Sequence, residues 1–228
     1  MTIFHFALKR SFGSTMNFVF LILVPLSCIF LPEGETLTHL PYGYQYFGII
    51  LLFAGIRLTS IILEDRERGV VKRLAVAPVS HFRYLSQNLL AYAIIVTIQC
   101  TAVVYGGVLY GQELYRPNAL LLLYISFSFT SLALALAWIS FYRRREMSFL
   151  IYTSLLFLIV LLGGLMIPVD LFPDLLKRIA AVLPTYWLAE GLDWIVFGGN
   201  YYDFLLIIGV LWLYTAVFVI IGSTRKIH

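Results

Sequence analysis

Two apolar stretches, residues 44–63 and 86–110, are each long enough to cross a bilayer, and between them lies the charged island 64–80, EDRERGVVKRLAVAPVS. This juxtaposition constrains the chain more than any other feature. A loop joining two spans needs only a few residues, so a polar segment this dense has a use when something soluble docks on it.

The rest of the chain has the same character. Hydrophobic residues make up 61% of the 228 positions and charged residues only 12%, with a mean hydropathy of +0.91. A soluble domain carries roughly a quarter charged residues, so this composition belongs to a polytopic membrane protein. Apolar runs separated by Pro, Gly or charge predict spans at about 16–31, 44–63, 86–110, 118–141, 148–167 and 203–223. The expected fold is an all-α membrane protein of six transmembrane helices, a single membrane domain over 1–228. Residues 1–15 interleave Phe4, Phe6, Leu8 and Phe12 with His5, Lys9, Arg10 and Ser11, which suits an amphipathic interfacial helix. A cleaved signal peptide fits less well, because the apolar run that follows has no small-residue cleavage site and ends at Pro32.

Six crossings place both termini on one side, and the basic residues orient them. Twelve of the sixteen Lys and Arg, among them Lys9, Arg10, Arg66, Arg68, Arg83 and Arg143 to Arg145, fall on that side, against Arg116, Lys177 and Arg178 on the other. The positive-inside rule makes that side cytoplasmic. The net charge of +4 therefore reads as topology, and no basic patch calls for nucleic acid.

No catalytic residues are expected. The chain contains no G-x-x-x-x-G-K-[ST], G-x-G-x-x-G or H-E-x-x-H, and His5, His39, His81 and His228 are too scattered to suggest a metal site. Cys28 and Cys100 both sit in apolar segments and read as small hydrophobes. Asp170 and Asp174 have paired-carboxylate spacing, but Pro168 and Pro173 break the helix that would align them. Energy for any transport must come from an ion gradient or from another chain. A secondary carrier would show acids deep within its spans, and none lies there.

The island favours another chain. Glu64, Asp65 and Glu67 open it and Lys72 and Arg73 follow, an order that suits a short helix complementing its own dipole. Val70, Val71, Leu74 and Ala75 can form one apolar stripe on it, with Gly69 admitting a partner's backbone and Pro78 ending the helix. Such a helix is a docking surface, or else it lies on acidic headgroups.

Residues 67–79, ERGVVKRLAVAPV, resemble the signature E-R-G-T-x-x-x-L-x-x-x-P of permease subunits of type 2 ATP-binding cassette exporters, with Glu67, Arg68, Gly69, Leu74 and Pro78 at the motif positions and Val70 in place of Thr. Residues 158–199 are similar to the family's fifth span, its outer re-entrant hairpin and its P-x-x-x-x-x-E stretch, here Pro184 to Glu190. The resemblance implies a cytoplasmic coupling helix at 64–80 and an outer re-entrant hairpin at 168–200. It also implies a second permease copy, identical or related, and two copies of a separate cytoplasmic ATPase. No cofactor is then expected in this chain, since ATP and Mg would be held by the ATPase. Glu64, Glu67, Arg68, Gly69, Leu74 and Pro78 would couple ATP hydrolysis to transport, in a bacterial plasma membrane. An ATPase-independent channel, secondary carrier or assembly factor is the competing reading.

For a substrate path the candidates are Arg57, Gln99, Phe127, Phe129, Glu190 and Asp193. Arg57 can instead snorkel to the headgroups, Gln99 and the Ser and Thr of the fourth span can hydrogen-bond between helices, and Glu190 with Asp193 can draw a cationic head outward or simply be solvated. Small loops and few deep charges suit an amphiphilic cargo, such as a drug, an antimicrobial peptide or a lipid-like molecule.

Overall fold

Hydrocarbon offers no partner to a backbone N–H or C=O, so a chain this apolar must satisfy its backbone within each segment. The computed structural model describes residues 3–31, 40–70 and 81–224, and among them every regular element is helical. In order these are α1 (Ile3–Ser11), α2 (Thr15–Phe30), α3 (Tyr42–Glu67), α4 (His81–Tyr110), α5 (Pro117–Ile139), α6 (Arg145–Leu162), α7 (Asp174–Ala180), α8 (Pro184–Phe197) and α9 (Tyr201–Thr224). Five of them, α3, α4, α5, α6 and α9, are long and apolar enough to cross a membrane; α1 and α2, bent by 85° at their break, add a sixth if counted as one span.

Several boundaries differ from expectation; the third span, expected from 86, starts at His81. The fifth span, expected to reach residue 167, ends at Leu162, because Gly163 follows and Gly164 adopts φ +85°, a left-handed conformation that stops a helix. The second, expected to end at 63, continues to Glu67.

Within α2 the helix widens to π geometry over Val19–Leu23 just before Pro25. Proline has no N–H to give the carbonyl four residues back, that of Leu21. Gln99 on α4 supplies the missing donor: its Nε2 reaches the Leu21 carbonyl at 2.5 Å. A polar residue that could have faced a transport path is thus engaged in closing a break in a neighbouring helix.

Helix α5 occupies the centre, against α3, α4 and α9. Small polar residues allow this crowding. Ser131 Oγ donates to the Leu51 carbonyl of α3 at 2.7 Å, and Thr130 Oγ1 donates to the Leu211 carbonyl of α9 at 2.9 Å. A methyl added to Gly55 would meet Ser131 Oγ at 2.5 Å, so glycine sets the α3–α5 approach. Tyr44, Phe47, Tyr92, Tyr124 and Phe127 fill the core, with Phe47 edge-on to Tyr124 at 5.0 Å.

After α6, a single turn at Val169–Leu171 leads into α7 and α8. At about 1.5 Å per residue, both fall short of a hydrocarbon core about 30 Å thick. Pro184 starts α8 where no N–H is needed, and Gly198, at φ +78°, ends it. Arg116 then closes the helix from outside: its Nη1 donates to the Trp194 carbonyl at 2.9 Å, and its guanidinium lies 5.0 Å from the centre of the Trp194 ring.

Candidate functional site: a charged clasp at one end and a cavity at the other

The acidic residues of the island lie at the C-terminal end of α3. A separate helix opening at Glu64 is corrected by the structure, because Glu64 to Glu67 form the last turn of α3. Carboxylates there oppose the helix dipole, and the fold offsets the penalty with cations from elsewhere. Arg145, at the start of α6, pairs with Glu64 Oε2 at 2.6 Å; Arg68 pairs with Glu64 Oε1 at 2.6 Å. Glu67 Oε1 accepts the backbone N–H of Arg145 and so caps α6 from outside. Asp65, only 4% exposed, accepts from Arg10 of α1 and from the Tyr84 hydroxyl of α4, both at 2.5 Å. Arg66 reaches the carbonyls of Ile139 and Tyr142 at the end of α5. One turn of α3 therefore grips α1, α4, α5 and α6 together.

Gly69 has a role beyond the one expected. A side chain there would meet nothing within 4 Å among the described residues, and its φ of +67° does what a glycine beyond a helix end does, its N–H bonding the Arg66 carbonyl. Glu64, Glu67, Arg68 and Gly69 are thus brought together, while Leu74 and Pro78 lie outside the described residues. Arg10, Asp65, Tyr84 and Arg145 complete the clasp, and none stood out in the sequence as a site residue. Their signal was weak: a third acid beside Glu64, and basic residues already explained by topology.

The path candidates do not form one lining. Arg57 has a protein partner: Nη2 donates to Asn17 Oδ1 at 2.8 Å, and the guanidinium lies over the rings of Phe20 and Phe149. Phe127 is wholly buried, and Phe129 meets Trp212 of α9 at 5.4 Å. Glu190 and Asp193 share a cavity.

That cavity, of about 580 Å³, lies at the opposite end of α3, between its first turns, the Gly164–Asp170 stretch and α8. From Gln45 to Asp65 is about 30 Å at 1.5 Å per residue. Glu190 and Asp193 line it with Asp170, and Tyr42, Gln45 and Tyr46 face them from α3. Although Asp193 is open to solvent, the protein around it and the repulsion of Glu190 and Asp170 push its carboxyl up to about 6. Sequence reading paired Glu190 with Asp193 but missed Gln45 and Asp170, since only the folded hairpin brings residues 45 and 170 to one wall.

The model of the ABC-2 family transporter protein family matches residues 35–224, which include α3 through α9. The chain belongs to the ABC-2 transporter family. It is a permease-type membrane subunit, as the similarity to two Bacillus subtilis proteins also indicates. The linearmycin resistance permease protein LnrN is 27% identical over 177 residues, which is 77% of this chain and 46% of LnrN. The putative transport permease YvfS is 23% identical over 178 residues, 75% of this chain and 70% of YvfS. The ABC-2 chain thus spans about half the length of the first relative.

Proposed function

We propose that this ABC-2 permease is the membrane half of an ATP-driven bacterial exporter, paired with a second permease copy and two copies of a separate cytoplasmic ATPase. The observation that carries this reading is the clasp at the end of α3. A push delivered just beyond Gly69 meets a turn tied by ion pairs and hydrogen bonds to α1, α4, α5 and α6. Such a turn would move as a unit, so that force from ATPase closure becomes rigid-body motion of the spans. The positive-inside rule supports a cytoplasmic clasp, with both termini on that side and the cavity facing out. The apolar faces of α6 and α9, including Leu150, Phe157, Leu206 and Leu213, are exposed and suit lipid or a second copy. An amphiphilic cargo fits a membrane domain with so few deep charges. Since one relative is named for resistance, removal of a toxic amphiphile is the form to test first.

The test is co-expression with a candidate ATP-binding cassette ATPase subunit from the same organism. The expected result is a stable complex whose ATPase activity, stimulated by the permease, collapses in the Glu67→Ala, Leu74→Asp double variant. If no complex forms, the reading fails in favour of an ATPase-independent channel, carrier or assembly factor.

A further inference from the structure

The cavity between α3, the Gly164–Asp170 stretch and α8 has an uneven chemistry. Asp170, Glu190 and Asp193 supply carboxylates, and among the described residues no Lys, Arg or His lines it. Gln45 also lines it, 6% exposed, and its Oε1 accepts no hydrogen bond among the described residues. A buried amide oxygen without a donor costs about 1–3 kcal/mol, so its retention here points to a donor from outside the chain. Tyr42 and Tyr46, their rings parallel with centres 6.3 Å apart, stand beside it. Leu165, Met166 and Val169 make the remaining wall apolar.

We propose that this cavity binds an organic ammonium carried on an apolar chain, with the ammonium among Gln45, Asp170, Glu190 and Asp193 and the chain against Leu165, Met166 and Val169. An ammonium has donors and no acceptor, the complement of a lining whose charged groups only accept. The tyrosine faces add attraction for a cation and none for an anion. A metal ion fits poorly, because no three carboxylates among the described residues are placed to hold one. The volume of about 580 Å³ lies within the range of roughly 300–1,000 Å³ typical of small-molecule sites. The ammonium can belong to a free amine or to an aminophospholipid headgroup; the site chemistry is the same. The proposal needs no ATPase, so it stands or falls separately from the exporter reading.

The experiment uses the full-length permease in maltoside micelles, which carry neither amine nor charge, and dansylcadaverine, a fluorescent primary amine, as the probe. Saturable binding is expected, absent for the N-acetylated probe. Gln45→Leu and the Glu190→Gln, Asp193→Asn pair should each weaken it by about tenfold or more, the equivalent of one charge-assisted hydrogen bond. Asp203→Asn, exposed on α9 and outside the cavity, should leave it unchanged. Competition by octylammonium alone assigns the site to free amines, and competition also by dihexanoyl phosphatidylethanolamine extends it to headgroups. Equal binding of the acetylated probe, or dissociation constants within about twofold of wild type in monodisperse cavity variants, would overturn the proposal. The acetylated-probe comparison on wild-type protein decides it even if a variant misfolds.

Discussion

Glu67 Oε1 accepts the backbone N–H of Arg145 at 2.5 Å, so the helix that begins at Arg145 is capped by a residue at the end of a different helix. Arg144, in the usual capping position, makes no side-chain cap of its own. Glu67→Ala should therefore cost about 1 kcal/mol, the ordinary worth of an N-cap, while Glu67→Gln keeps an acceptor and loses less. Thermal unfolding of the purified permease checks both; an alanine variant as stable as wild type would remove the cap from the account.

Asp65 carries more. Its carboxylate is buried between Arg10 and the Tyr84 hydroxyl. Removing it leaves two donors facing each other, and breaking a buried ion pair costs about 3–5 kcal/mol. Asp65→Ala should free α1 first, since Arg10 is a major tie of that helix, so hydrogen exchange at residues 3–11 is expected to rise. Tyr84→Phe removes one hydrogen bond and should cost about 1–2 kcal/mol.

The break in α2 gives a third expectation. Gln99→Leu fills the same space but leaves the Leu21 carbonyl without the donor that Pro25 denies it. A destabilisation of about 1–3 kcal/mol should follow. In Gln99→Leu, Pro25→Ala, the restored N–H should recover part of the loss, and a double variant no more stable than the single one would refute this pairing.

Asp193 supplies a pH dependence. Its carboxyl, at about 6 in the fold against 3.8 ordinarily, is raised by the protein packed around it and by repulsion from Glu190 and Asp170. Glu190 is also the partner of the Tyr186 hydroxyl, and Tyr42 and Tyr46 face the same cavity from α3. A raised carboxyl means the fold binds the proton more tightly than the unfolded chain does. Its contribution is most favourable at the acid end and is lost as pH rises from about 4 to about 6. Relative to wild type, Asp193→Asn should thus be more stable above pH 6, with the gap closing toward pH 4. Melting curves across that range read the sign directly.

The helical class and approximate spans were legible because lipid obliges each segment to satisfy its own backbone, which makes span length and hydropathy local properties. The acidic end of α3 was misread for an equally local reason. Acid before base suggests a new helix N-terminus, and only Arg10, Arg145 and Tyr84, arriving from other helices, make a C-terminal turn of acids tolerable. Gly69 shows the same limit, since its left-handed backbone angle of φ +67° cannot be read from the string.

By itself the sequence determined that this protein spans a membrane through helices of these approximate lengths, and its motif residues pointed to the family. The tertiary structure decided which charges pair, which glycines are crowded, where Gln99 donates, and that Gln45 and Asp170 share a wall. These depend on approaches between residues far apart in the chain, such as Glu64 and Arg145, 81 positions apart. Such approaches are set by side-chain packing and leave no periodic trace in the order of residues.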